Sequence, residues 1–209
     1  MSSIIFRSLL RTLCTIPAAG ILIGLNSGAA LAENPTFAAC LAFERPACDE
    51  VLRVEPGNLT ALFMRGLAAE LEGDDAAALV DFDATANREP RHFGAQLWRQ
   101  VAAATLNESR AADLRTYLAA ARQLPPWPRI LAELYLGRAD GAAVLQLAEA
   151  QPPAARAEAV CAAEYHIGRR AYLAGDAAGA RAHFRNALAT GATHVFEYQA
   201  AERAMTRAE

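Results

Sequence analysis

In "EYHIGRRAY", residues 164–172, Tyr165, Arg169 and Tyr172 are spaced four and three apart, so a helix would present them along one stripe. A guanidinium between two rings has the composition of a binding hot spot, able to pair a carboxylate or a chain terminus against rigid apolar area. His166 adjoins that stripe. The alternative use of these side chains is packing under the helix that ends the chain, and the residues alone leave both open.

The other reactive residue types point away from catalysis. After residue 32 the only serine is Ser109, whose context "LNESRAADL" suits a helix N-cap better than a nucleophile. The chain has no lysine, which removes Schiff-base and lysine-base chemistry. His92, His166, His183 and His194 are not spaced with one another or with cysteine as zinc ligands are. Asp74 and Asp75 read as a helix start in the dipole field, not as an acid–base pair. Neither a metal nor a cofactor is expected, and an enzyme is not.

Cys40 and Cys48 bracket "CLAFERPAC", a short hairpin with Pro46 in the first turn of its second helix. They form either a disulfide, worth about 2–3 kcal/mol by loop entropy, or two buried thiols. Cys161 suits core packing, with a redox or intermolecular role as the alternative.

Residues 1–32 have the form of an export signal. Arg7 and Arg11 lead an apolar run from Ile16 to Leu25, and Ala30-Leu31-Ala32 closes it, so cleavage before Glu33 is expected. The run is short for a membrane anchor, so no span is expected after cleavage. Cys40 comes too late, behind polar "ENPT", to serve as a lipid-attachment cysteine. Removing Arg7 and Arg11 leaves 18 arginines against 23 acidic residues, a net charge near −5. Such a balance argues against a nucleic-acid partner. Abundant alanine and arginine without lysine fit a GC-rich bacterial genome. With a bacterial signal this implies the periplasm, an oxidising compartment in which a disulfide persists.

The elements that position these residues emerge from a repeat. "MRGLAAELEGDDAAALVDFDATA" (64–86) and "HIGRRAYLAGDAAGARAHFRNAL" (166–188) carry the same marks 102 residues apart, three times 34. A 34-residue period is that of the tetratricopeptide repeat (TPR), a stacking pair of antiparallel helices. Gly66 and Gly168 let the second helix approach the first. Gly73-Asp74 and Gly175-Asp176 end one helix and cap the next. Ala78 with Phe82, and Ala180 with Phe184 and then Ala187, would face back across the pair. Pro56 and Pro90 repeat at the same period, each ending a second helix.

The fold expected is all-α: a single TPR-type solenoid over 33–209, with units near 36–58, 59–92, 93–126, 127–160 and 161–194 and a closing helix over 193–208. The middle repeats are degenerate. "PPWP" (125–128) should make a stiff connector, and short helices should cover 130–136 and 142–150. In this frame the first helices line a concave groove. Its positions are Thr60, Phe63, Leu67 and Glu70 in one unit and Tyr165, His166, Arg169 and Tyr172 in the last.

The C-terminal half resembles a particular family. "WPRILAELYLGR" (127–138), "CAAEYHIGRRAYLAGD" (161–176), "AHFRNAL" (182–188) and "VFEYQAAERAM" (195–205) look like the outer-membrane TPR lipoproteins called NlpI. The resemblance spans roughly residues 59–205. It implies a helical periplasmic adaptor associated with the outer membrane, often homodimeric, that binds a protein or peptide partner, such as a cell-wall hydrolase or a processing protease. The competing expectation is a permanent structural subunit of an envelope or secretion complex.

Overall fold

The computed structural model describes residues 35–207, so the expected signal peptide and its cleavage point lie outside the described residues. Among the described residues the chain is all-α, with eleven helices and no strand. In order they are α1 (Pro35–Leu41), α2 (Arg45–Val54), α3 (Leu59–Glu72), α4 (Asp75–Arg88), α5 (Phe93–Thr105) and α6 (Ala111–Ala120). There follow α7 (Pro126–Tyr135), α8 (Gly141–Glu149), α9 (Pro153–Leu173), α10 (Ala177–Ala189) and α11 (Phe196–Arg207). None is both long and apolar enough to cross a membrane.

Short polar side chains start these helices by accepting orphan backbone N–H groups. Asn58 accepts from Ala61 N–H at 2.9 Å, Asp74 from Ala77 at 3.1 Å, Asp140 from Ala143 at 2.8 Å and Asp176 from Gly179 at 2.8 Å. Gly73 and Gly175 each turn the chain at φ 81°, a conformation that costs glycine nothing.

Across each of these turns a glycine meets a ring. Gly66 and Phe82 lie equally far from Asp74 (74 − 66 = 82 − 74 = 8), as Gly168 and Phe184 do from Asp176, so the paired helices run antiparallel. A Cβ at Gly66 would fall 2.6 Å from Phe82 Cε1, and one at Gly168 would fall 2.8 Å from Phe184 Cε1. Both rings are buried, as are Ala78, Ala180 and Ala187. The missing side chain makes room for the ring.

Neighbouring helices pack in sequence, α2 on α3 on α4 on α5 and α8 on α9 on α10 on α11. Contacts between distant elements then draw the chain together. α5 and α9 both touch α7, and α11 touches α9 and α3. The α1–α2 turn reaches α11 through Phe43 and Phe196, whose rings meet edge-on at 5.3 Å. One continuous core runs from Cys40 to Ala201.

Three local expectations need correction. "PPWP" is not a separate connector, because Pro126 opens α7 and Pro128 lies in its first turn, where a missing N–H costs no hydrogen bond. α9 starts at Pro153 rather than at 161, for the same reason. The closing helix starts at Phe196 rather than 193, after a turn in which Gly191 takes φ 67°. α6 is thinly seated, with only Leu114 and Leu118 buried.

Candidate functional site

The stripe on α9 points inward. Tyr165 is 2% exposed, His166 0% and Arg169 9%, so they do not line an open groove. Their four-residue spacing does put them on one side of the helix, but other elements of the chain cover that side. Tyr172, in the last turn of α9, projects beyond this packing and is exposed. Of the α3 positions, Leu67 and Glu70 are buried, whereas Phe63 is half-buried beside Phe82 and His92.

The two sets of expected groove residues meet each other. One terminal nitrogen of Arg169, Nη2, lies 2.8 Å from Glu70 Oε1 on α3 and 3.0 Å from Asp75 Oδ1 at the start of α4. The same nitrogen donates to Thr105 Oγ1, at the end of α5, at 2.9 Å. Thr105 in turn donates to the Val101 carbonyl at 3.2 Å. Burial opposes the charge on Arg169, yet the carboxylates of Glu70 and Asp75 hold its pKa above that of a free guanidinium. A single arginine thus ties α9 to three helices from the other half of the chain.

A second group surrounds His166. Tyr135, from α7, sets its hydroxyl 2.9 Å from His166 Nδ1. Burial raises the pKa of this phenol well above its ordinary value, so it stays an O–H. The other ring nitrogen, Nε2, faces Glu197 Oε1 on α11 at 3.7 Å. The indole of Trp98, on α5, lies 5.3 Å from the His166 ring, 6.1 Å from Tyr165 and 4.9 Å, edge-on, from Phe196. No protein-family model matches the chain, and no curated protein matches it. Fold and geometry therefore stand by themselves.

The other histidines have separate partners. His92 accepts from Ala95 N–H as the cap of α5. His183 Nδ1 lies 2.6 Å from Glu164 Oε2, joining α10 to α9, and His194 Nε2 lies 2.7 Å from Glu158 Oε1. Among the described residues no cluster of three or more His, Cys, Asp or Glu is arranged to hold a metal ion.

Cys40 and Cys48 have their Sγ atoms 2.10 Å apart, at disulfide distance. Cys161 is fully buried, and burial pushes its thiol up to about 12, which keeps it protonated and unreactive near neutral pH. Ser109 accepts from Ala111 N–H at 3.2 Å but is not the expected N-cap, because Arg110 occupies that position one residue later.

Trp98, Tyr135, Thr105, Phe196 and Glu197 complete this inner cluster without having been singled out, and Asp75, read only as a helix start, pairs with Arg169. Trp98 and Thr105 sit in a degenerate repeat with no mark to align. The aromatic–Glu start of α11 was a usable signal, because a closing helix must bury its aromatic against something.

Proposed function

We propose that the chain is a periplasmic TPR-type adaptor that holds a protein or peptide partner. The observation carrying this reading is the glycine–phenylalanine interlock, built the same way in two helix pairs 102 residues apart. Repeated pairs of this kind serve as scaffolds whose inner face recognises other chains. The resemblance to NlpI-like proteins extends it to a partner among cell-wall hydrolases or their processing proteases.

In-cell crosslinking of a tagged copy, followed by mass spectrometry, tests the reading. A transient adaptor should crosslink to one or a few envelope proteins and still purify alone. Near-stoichiometric co-purification would make it a permanent subunit instead. Crosslinks no richer than those of an inert exported control would refute both.

A further inference from the structure

Four large apolar side chains are exposed among the described residues: Val54, Val80, Leu106 and Tyr172. Val54 and Val80 belong to α2 and α4, whereas Leu106 closes α5 and Tyr172 lies in the last turn of α9. Trp98 on α5 lies 6.1 Å from Tyr165 on α9, and further along both helices Thr105 accepts from Arg169, so the two run in the same direction. Tyr172 is as far beyond Tyr165 as Thr105 is beyond Trp98, seven residues in each case (172 − 165 = 105 − 98 = 7). Leu106 and Tyr172 therefore come to the same end of the molecule, on either side of the Arg169 ion pairs.

The charge at that end is negative. Its arginines are each shared by two carboxylates: Arg169 by Glu70 and Asp75, and Arg45 by Glu72 and Asp74. Beside Leu106, Glu108 shares Arg110 with Asp83. Asp176, the exposed cap of α10 four residues after Tyr172, forms no ion pair among the described residues. Arg170 is turned onto the Tyr135 ring, 6.0 Å from its centroid. Two exposed apolar side chains, one of them aromatic, thus stand in a field of uncompensated carboxylate.

We propose that the end of the molecule marked by Leu106, Tyr172 and Asp176 is the partner-docking surface, and that the partner segment is basic. The segment sets an apolar side chain against Leu106 and Tyr172 and an arginine or lysine beside it. That cation gains from the excess of carboxylate and from the face of the tyrosine ring. Both apolar side chains stand at the ends of helices already fixed by the buried Arg169 pairs, so docking requires no rearrangement of the core. This inference rests on the adaptor reading but can be tested apart from it.

The probe is a labelled peptide of repeated Leu-Arg-Ala, with a Leu-Glu-Ala counterpart, titrated into the full chain and followed by fluorescence anisotropy. Leu106→Ala with Tyr172→Ala should weaken the arginine peptide about tenfold or more, as for loss of a hot spot. Val54→Ala with Val80→Ala removes exposed apolar side chains elsewhere and should leave its affinity within about twofold. Asp176→Asn keeps the helix cap but removes the charge, and should weaken the arginine peptide about two- to fivefold at low salt and less at high salt. The glutamate peptide should bind about tenfold more weakly than the arginine peptide. Equal losses in the two double variants, or equal binding of the two peptides, would overturn the proposal. So would a dimer of the chain that Leu106→Ala with Tyr172→Ala dissolves, because the occupant would then be a second copy. Peptide binding on these terms without any crosslinked partner in cells would leave the surface standing and refute the adaptor. A partner crosslinked equally by wild type and the Leu106→Ala, Tyr172→Ala variant would do the reverse.

Discussion

Replacing Gly168 by alanine tests the interlock on which the helix pairs depend. In an open helix this change stabilises by about 1 kcal/mol, because alanine loses less backbone freedom than glycine. Here the new Cβ would stand 2.8 and 2.9 Å from two Phe184 ring carbons and 3.1 Å from the Ala180 carbonyl oxygen. The ring cannot easily retreat, being 3% exposed with the Tyr165 ring tilted against it at 5.8 Å. Overpacking of this kind costs about 1–3 kcal/mol. The net effect should be a loss of up to about 2 kcal/mol, read as a fall of roughly 2–4 °C in Tm for each kcal/mol. Phe184→Ala removes both ring atoms, so in that background Gly168→Ala should recover most of the gain of an open helix. The coupling between the two sites should then be about 1–3 kcal/mol in a double-mutant cycle, measured by urea denaturation followed by circular dichroism. Phe184→Ala alone should cost about 3–5 kcal/mol. A stabilising Gly168→Ala in the wild-type chain, with no coupling to position 184, would show that glycine is not there to admit the ring.

Arg169→Ala should remove the cation paired with buried Glu70 and half-buried Asp75 and cost about 3–5 kcal/mol, whereas exposed Tyr172→Ala should stay within about 0.5 kcal/mol; similar urea midpoints for the two would refute the inward placement. His92 caps α5 through an unprotonated Nδ1, and burial pulls its pKa below the ordinary 6.5. The sign follows from that direction: the cap's contribution, about 1 kcal/mol, is whole above pH 6.5 and is lost as pH falls through the lower folded value. His92→Asn keeps an acceptor that does not titrate, so its Tm should decline less than that of wild type between pH 7 and 5; parallel declines would refute the cap. Non-reducing peptide mapping should find Cys40 linked to Cys48, and Cys40→Ala with Cys48→Ala should lose about 2–3 kcal/mol; free alkylation of both thiols in the native chain would refute the bond.

Much of the local structure was legible because it is written in short-range chemistry. A glycine before an aspartate means the end of one helix and the cap of the next wherever it occurs, and the chain does this at 73–74 and 175–176. The Gly66–Phe82 and Gly168–Phe184 contacts follow equally from spacing about those turns. The prolines misled at 125–128 because a proline that cannot continue a helix can still begin one, and only the neighbouring turns decide which.

The direction in which α9 faces was not legible. Spacing alone establishes that Tyr165 and Arg169 share a side of their helix, since 3.6 residues per turn is a property of the backbone. Whether that side meets water depends on what arrives from far along the chain, and no local pattern encodes it. Glu70 and Asp75 come from about a hundred residues earlier, Tyr135 from α7, and Phe196 and Glu197 from α11. The sequence determined the helices, their caps and the close pairing within each hairpin. Only the tertiary structure decided that the two ends of the chain converge, which buries Arg169 among its carboxylates and packs α11 against α3 and α9.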